Sequence, residues 1–250
     1  MTIRSLLKFS FGVTAAFFLA ASNQAQAIQF DFASVGKGGG ATAKAATLRF
    51  NGTAGADTFT FVDATGTTAG GNQNAGFDFL ITTVTGGVGD AANLRGKIGG
   101  TFTIGAATIH NPIAQSAPVT GTGTFSIADG LGKNLTASIT FTEITTLGTT
   151  GGFNGGATIN LTNVVYTGTR LDLLEFALSG EGMSSIAFTF STPKSVTQLK
   201  ATGVNSTSYS GEVHTLLVPD GGSTVAFLGM GLAGIEGLRR RLAARKSLKA

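Results

Sequence analysis

The chain has no cysteine and no tryptophan, and among its 250 residues there are only two tyrosines and two histidines. Without cysteine no disulfide can staple the fold, so packing, with or without a bound ion, must hold it. Without tryptophan, and with so little tyrosine, the aromatic platforms common in sugar-binding sites are missing. Charge is scarce too, at 12% of residues. The basic pI near 9.6 comes from the ends of the chain. Of 17 Lys and Arg, two lie in the first 27 residues and six follow Leu238, leaving nine basic against eleven acidic side chains between residues 28 and 217. That stretch has no basic patch, which argues against a nucleic-acid partner.

What the chain does have is phenylalanine, 19 in all, and 38 glycines, about twice the usual share of roughly 7%. The phenylalanines sit in runs of period two. Phe59 and Phe61 alternate with Thr58 and Thr60; Phe77, Phe79 and Ile81 with Asp78, Leu80 and Thr82; Leu135, Ala137, Ile139 and Phe141 with Thr and Ser; Ile186, Phe188 and Phe190 likewise. Alternation over short runs marks antiparallel strands with one wet face. Further strands are expected near 28–32, 46–50, 97–104, 123–127, 157–166, 173–178 and 209–217, separated by turn formers such as Asn51-Gly52, Gly86-Gly87 and Asp129-Gly130. About eleven such strands predict one all-β domain over residues 28–217, a β-sandwich or jelly roll, with a parallel β-helix as the alternative. No fixed repeat supports the solenoid. No helical pattern stands out in this region, the only helix-friendly patch being 41–46, and the polar stretch 191–208 reads as a loop or weak edge strands.

Both ends read as targeting segments. Residues 1–27 have a basic start (Arg4, Lys8), an apolar run and an Ala25-Gln26-Ala27 cleavage site, the three regions of a signal peptide for signal peptidase. Residues 218–250 have three parts: Val218-Pro219-Asp220-Gly221-Gly222 with Ser223 and Thr224 behind it, an apolar stretch 223–238, and a basic tail 239–250 opening on Arg239, Arg240 and Arg241. Sixteen residues of helix cover about 24 Å against a hydrocarbon core of about 30 Å, so the span is short, and the arginines act as a snorkelling stop. Glu236 can pair with Arg239 or Arg240, and Gly229, Ala233 and Gly237 form one small-residue face. Positive charge at both ends keeps both on the cytoplasmic side and sends the domain across the membrane.

This tail resembles the C-terminal sorting signal of bacterial exosortase substrates, in the VPDSG-CTERM variant related to PEP-CTERM. Val218, Pro219, Asp220 and Gly222 match the pattern; Gly221 stands where the name has Ser. The resemblance implies an exosortase-type membrane enzyme that cuts near the motif, transient anchoring, and a destination at the cell surface or in the extracellular matrix.

Few residues between the ends invite catalysis. His110 sits in an Asn-Pro context and His214 in a strand-like run, with no metal-binding spacing, and there is no nucleophile elbow. Asp172, Glu175 and Glu181 could be drawn as a glycosidase carboxylate pair, but solvated strand ends are the simpler reading. Asp57, Asp63, Asp90 and Asp129 lie beside Gly-rich loops, where calcium is the one ion weighed, although no EF-hand or RTX spacing appears. The expected protein is an exported, non-enzymatic surface or matrix component with exopolysaccharide as a partner to consider and no assigned cofactor. The alternative is a polysaccharide hydrolase retained by the same tail.

Overall fold

The computed structural model describes residues 27–37, 42–53, 57–66, 74–111, 113–147, 155–201 and 203–216. The signal peptide, the sorting motif, the apolar span and the basic stop lie outside these residues. Ala27–Leu216 forms one compact unit.

In chain order the described elements are β1 (Gln29–Ser34), β2 (Thr47–Gly52), β3 (Thr58–Val62), β4 (Phe79–Thr85), β5 (Arg95–Ile104), β6 (Thr108–Asn111), β7 (Ala114–Thr120), β8 (Thr122–Ala128), β9 (Asn134–Leu147) and β10 (Gly155–Val165). After them come helix α1 (Leu171–Leu178), β11 (Gly182–Phe188), helix α2 (Val196–Lys200), β12 (Gly203–Thr207) and β13 (Tyr209–Thr215). The fold is all-β, and every pairing among these strands is antiparallel, unlike a parallel β-helix.

Eight strands close on themselves in the order β4-β1-β13-β11-β10-β9-β8-β5, because β5 rejoins β4 through Phe79↔Gly96 and Leu80↔Arg95. The far half of β5 leaves this circuit to pair with β3 and β7, and β2 and β12 continue outward from β3. That second layer packs against β9 and β11 through phenylalanine rings. Phe102 lies 4.4 Å from Phe141, Phe59 lies 5.0 Å from Phe141, and Phe50 lies 5.3 Å from Phe188. Phe79, Ile139, Phe141 and Phe188 are buried, as the alternation predicts.

Several glycines and phenylalanines share one geometric role. Gly96 pairs with Phe79, Gly155 with Phe188 and Gly211 with Phe32, and in each pair the ring lies where a Cβ on the glycine would project. Gly123 is covered in the same way by Phe102. A flat ring over a bare backbone fills the inside of a tightly curved sheet, where two large side chains would collide. We therefore expect Gly211→Ala to cost about 1–3 kcal/mol by overpacking against Phe32 and the Ser185 carbonyl. Gly36→Ala, with open space around it, serves as the control in urea melts.

Bulges shift the alternation, and the two in β4 and β9 use the same device. In β4, Asp31 faces Thr83 but Phe32 faces Ile81, so Thr82 is extra. In β9, Thr158 faces Glu143 but Ile159 faces Phe141, so Thr142 is extra. Each bulged threonine donates its hydroxyl across the ladder, Thr82 to Asp31 O (3.1 Å) and Thr142 to Thr158 O (3.3 Å). After its bulge β9 buries Ile144 and Thr146 instead of odd-numbered residues, which bends the strand toward β7.

The structure departs from four local expectations, one of them in part. Residues 173–178 belong to helix α1, whose buried residues Asp172, Leu173 and Phe176 follow helical spacing. The stretch 191–208, expected as a loop or weak edge strands, does carry the edge strand β12, but it also contains helix α2, held by a Ser195–Gln198 capping box. Asp78, placed on the wet side of its run, is 1% exposed. Of the helix-friendly patch, Lys44 instead makes a β-bridge to Thr65.

Candidate functional site

Strand directions bring both ends of the compact unit to one end of the closed circuit. Gln29 pairs with His214 and Thr85, Gly182 with Thr215, and Arg95 with Ala128. Residues 27–28, 86–94, 129–133, 166–181 and 215–216 therefore share this end. Helix α1 plugs it, with Phe176 stacked on Phe30 at 5.1 Å.

Three aspartates lock the plug. Asp90 accepts the first two helix N–H groups, from Leu171 (2.7 Å) and Asp172 (3.1 Å), and so caps a helix whose own preceding residue, Arg170, offers no side-chain cap. Asp172 answers from inside the helix, accepting from Val88 N (2.7 Å) and Ala91 N (2.9 Å) in the loop that carries Asp90. Asp129 accepts from Leu131 N, Lys133 N and the Tyr166 hydroxyl, and Arg170 spans the carbonyls of Asp129 and Asp90. Burial alone would raise the Asp129 carboxyl, but the N–H groups of Lys133 and Leu131, the Tyr166 hydroxyl and Arg170 outweigh it and hold the pKa below the usual value. The Tyr166 hydroxyl is pushed up, first by burial and then by Asp129, against the Arg170 N–H.

A second acidic cluster lies in the wall. Asp78 accepts from Ile98 N at 2.6 Å, while its Oδ1 and the buried Tyr209 hydroxyl have no hydrogen-bond partner. Asp63, beside it, pairs with Lys97 at 2.5 Å. Burial and the neighbouring Asp63 carboxylate push Asp78 up to about 7, against the Ile98 N–H. For Asp63, burial is outweighed by Asp78 and Lys97, and its pKa is lowered. Tyr209 is raised well above its ordinary value by burial and by these two carboxylates.

The linkage sign follows from these shifts. Asp78 holds its proton in the native state up to about pH 7 but loses it near 3.9 when unfolded, so its stabilisation falls as pH rises between those values. Asp63 acts oppositely, and its contribution is lost as pH falls below about 4. We expect urea melts to show a loss on the order of 2–4 kcal/mol between about pH 5 and about pH 8, and Asp78→Asn to flatten that slope. A wild-type slope unchanged by the substitution would assign the effect elsewhere.

The remaining candidates do not converge. Exposed His110, on edge strand β6, has a ring nitrogen 2.9 Å from Ser116 Oγ, and His214 lies on β13 in the middle of the circuit. Asp57 pairs with Lys200 at 3.1 Å. Of the four aspartates in Gly-rich settings, Asp90 and Asp129 share the plug and Asp57 and Asp63 each pair with a lysine elsewhere, and among the described residues no three His, Asp or Glu side chains gather as a metal site. Glu175 and Glu181 are exposed, while Asp172 is fully buried and used as a cap.

Two shallow grooves, about 340 and 420 Å3, cross the outer face of β9–β10–β11 and of β11–β13–β1. They share Ser185 and Ala187 and are bordered by Glu143, Glu212 and Asp31. Sequence reasoning named Asp63, Asp90, Asp129 and Asp172 singly but did not group them, because, apart from the nearby Leu131 and Lys133 donors of Asp129, their partners lie from 20 to more than 80 residues away along the chain.

Comparison with known proteins finds the VPDSG-CTERM motif at residues 218–242. No curated protein matches the chain, and no solved structure matches it. The sorting signal implies export, transient membrane anchoring and processing by an exosortase-type enzyme.

Proposed function

We propose that the chain is a non-enzymatic component of the cell surface or extracellular matrix, exported behind a signal peptide cut after Ala27 and released or transferred once its tail is cut near residues 218–222. The observation that carries this reading is the sorting motif at residues 218–242. Support for a non-catalytic body comes from how its polar groups are used. Asp90, Asp129 and Asp172 are committed to capping backbone N–H groups, and the two histidines share no partner. The rival hydrolase reading has one observation in its favour, the Asp63–Asp78 pair with opposed pKa shifts. Asp78 is too deeply buried to meet a polysaccharide. Exopolysaccharide remains a partner of the outer sheet face in this reading, with no metal or other cofactor required.

The test is fractionation in a host that carries the processing enzyme. Wild type should lose its tail, whereas Pro219→Ala should stay full length in the membrane, because the extended Pro-Asp-Gly-Gly segment no longer presents a cleavable site. Identical full-length behaviour of both would make residues 223–238 a plain anchor and overturn the sorting mechanism.

A further inference from the structure

The plugged end of the body carries apolar side chains that nothing among the described residues covers. Val88 is 69% exposed, Leu131 65%, Leu171 57% and Leu178 87%. They come from the loop after β4, the loop after β8 and both ends of helix α1, which share this end of the circuit. Helix α1 reads Leu-Asp-Leu-Leu-Glu-Phe-Ala-Leu. One side buries Leu173 and Phe176, and the opposite side turns Leu171 and Leu178 to solvent. Apart from exposed Glu175, which lies between Leu171 and Leu178, the helix is apolar on both sides, and such a helix belongs between two apolar surroundings. The inner surrounding is the core. The outer one is absent from the body itself.

The chain leaves the body at this same end. Thr215 N donates to Ile28 O there, and Leu216 follows, itself an exposed apolar residue. Six residues, 217–222, separate it in the sequence from Ser223, where the apolar stretch of the tail begins. Six residues reach at most about 20–25 Å when fully extended. While the tail holds the membrane, this end of the body is therefore tethered within that distance of the lipid surface.

We propose that the plugged end is a lipid-facing surface, seated on the outer face of the membrane while the tail is intact. The inference rests on the reading of residues 223–238 as a membrane span. Charge does not drive the contact, since Lys133 and Arg170 are outnumbered here by Asp90, Asp129, Asp172, Glu175 and Glu181, and a net acidic end gains nothing from anionic lipid. Leu171, Leu178, Leu131 and Val88 enter the interface in the manner of a shallow amphipathic helix and its neighbouring loops. A seated body would hold residues 218–222 against the membrane surface, where an integral membrane enzyme can reach them. Release by cleavage removes the tether, and the four side chains alone then hold the body weakly enough to leave.

The absence of cysteine makes the test direct. Full-length Leu178→Cys, Leu131→Cys and, as control, Ser191→Cys are labelled with an environment-sensitive fluorophore and reconstituted into phosphatidylcholine vesicles carrying a spin-labelled lipid. Ser191 is exposed and follows β11 at the opposite end of the body. Quenching should be severalfold stronger at positions 178 and 131 than at 191, insensitive to high salt, and severalfold reduced at position 131 when Leu171→Ser and Leu178→Ser are added. Equal quenching at all three positions, or none on vesicles that do carry the protein, overturns the proposal while leaving the tail reading standing. Shielding of the probes before vesicles are added shows that a second copy covers the face, and also overturns it. A chain that fails to float with vesicles at all removes the tail reading and this proposal together.

Discussion

Replacing Asp172 with alanine should destabilise the body by about 2–6 kcal/mol, because it orphans the N–H groups of Val88 and Ala91 and each such loss costs about 1–3 kcal/mol. The side chain is fully buried, so water cannot substitute for it. The damage also spreads. Once the loop around residue 88 is released, Asp90 loses its hold on the first turn of α1, and Phe176 loses the support that keeps it on Phe30. Asp172→Asn keeps one carbonyl acceptor and should lose clearly less. Asp90→Ala removes only the helix cap and should cost about 0.5–2 kcal/mol. Urea denaturation of the three variants gives the ranking. A loss at Asp172→Ala no larger than that of the exposed Glu175→Ala would show that the carboxylate does not secure the plug.

Phe102→Ala should cost about 3–5 kcal/mol, the range for deleting a buried aromatic ring. Phe102 is fully buried, stacks on Phe59 at 5.2 Å, meets Phe141 edge-on at 4.4 Å and covers Gly123. It thus joins the layer built on β3 and β5 to the layer built on β9. Its removal leaves a cavity that the bare glycine backbone cannot fill. A double-mutant cycle with Phe141→Ala should recover a coupling of about 0.5–1.5 kcal/mol from the ring pair. Additive losses would mean that the two layers are held by other contacts.

Much of the architecture was legible as a pattern. Phe59 and Phe61, Phe79 and Ile81, and Leu135 to Phe141 alternate because one face of each strand must be dry, and the dry face is the one these residues occupy. The alternation fails where the register shifts, at Thr82, at Thr142 and between Thr162 and Val165, since the two bulged threonines do not differ locally from their neighbours. Strands β6 and β7 passed unnoticed for a related reason. β6 is exposed along its whole length, and β7 carries Pro118, so neither shows a clean apolar alternation. Helix α1 was read as a strand because its cap is supplied by Asp90, about eighty residues away in the chain, and not by its own neighbours.

The sequence by itself determined the β architecture, the near-neutral balance of the body and the sorting signal at residues 218–242, since each depends on residue type and short-range order. Only the tertiary structure decided that β5 closes the circuit, that Asp78 is buried with its carboxyl pushed above the usual carboxylate range, and that the leucines of α1 gather with Val88 and Leu131 where the chain leaves for its tail. Those outcomes rest on contacts between residues distant in sequence, and a hydrogen bond or a ring contact acts through distance in space alone.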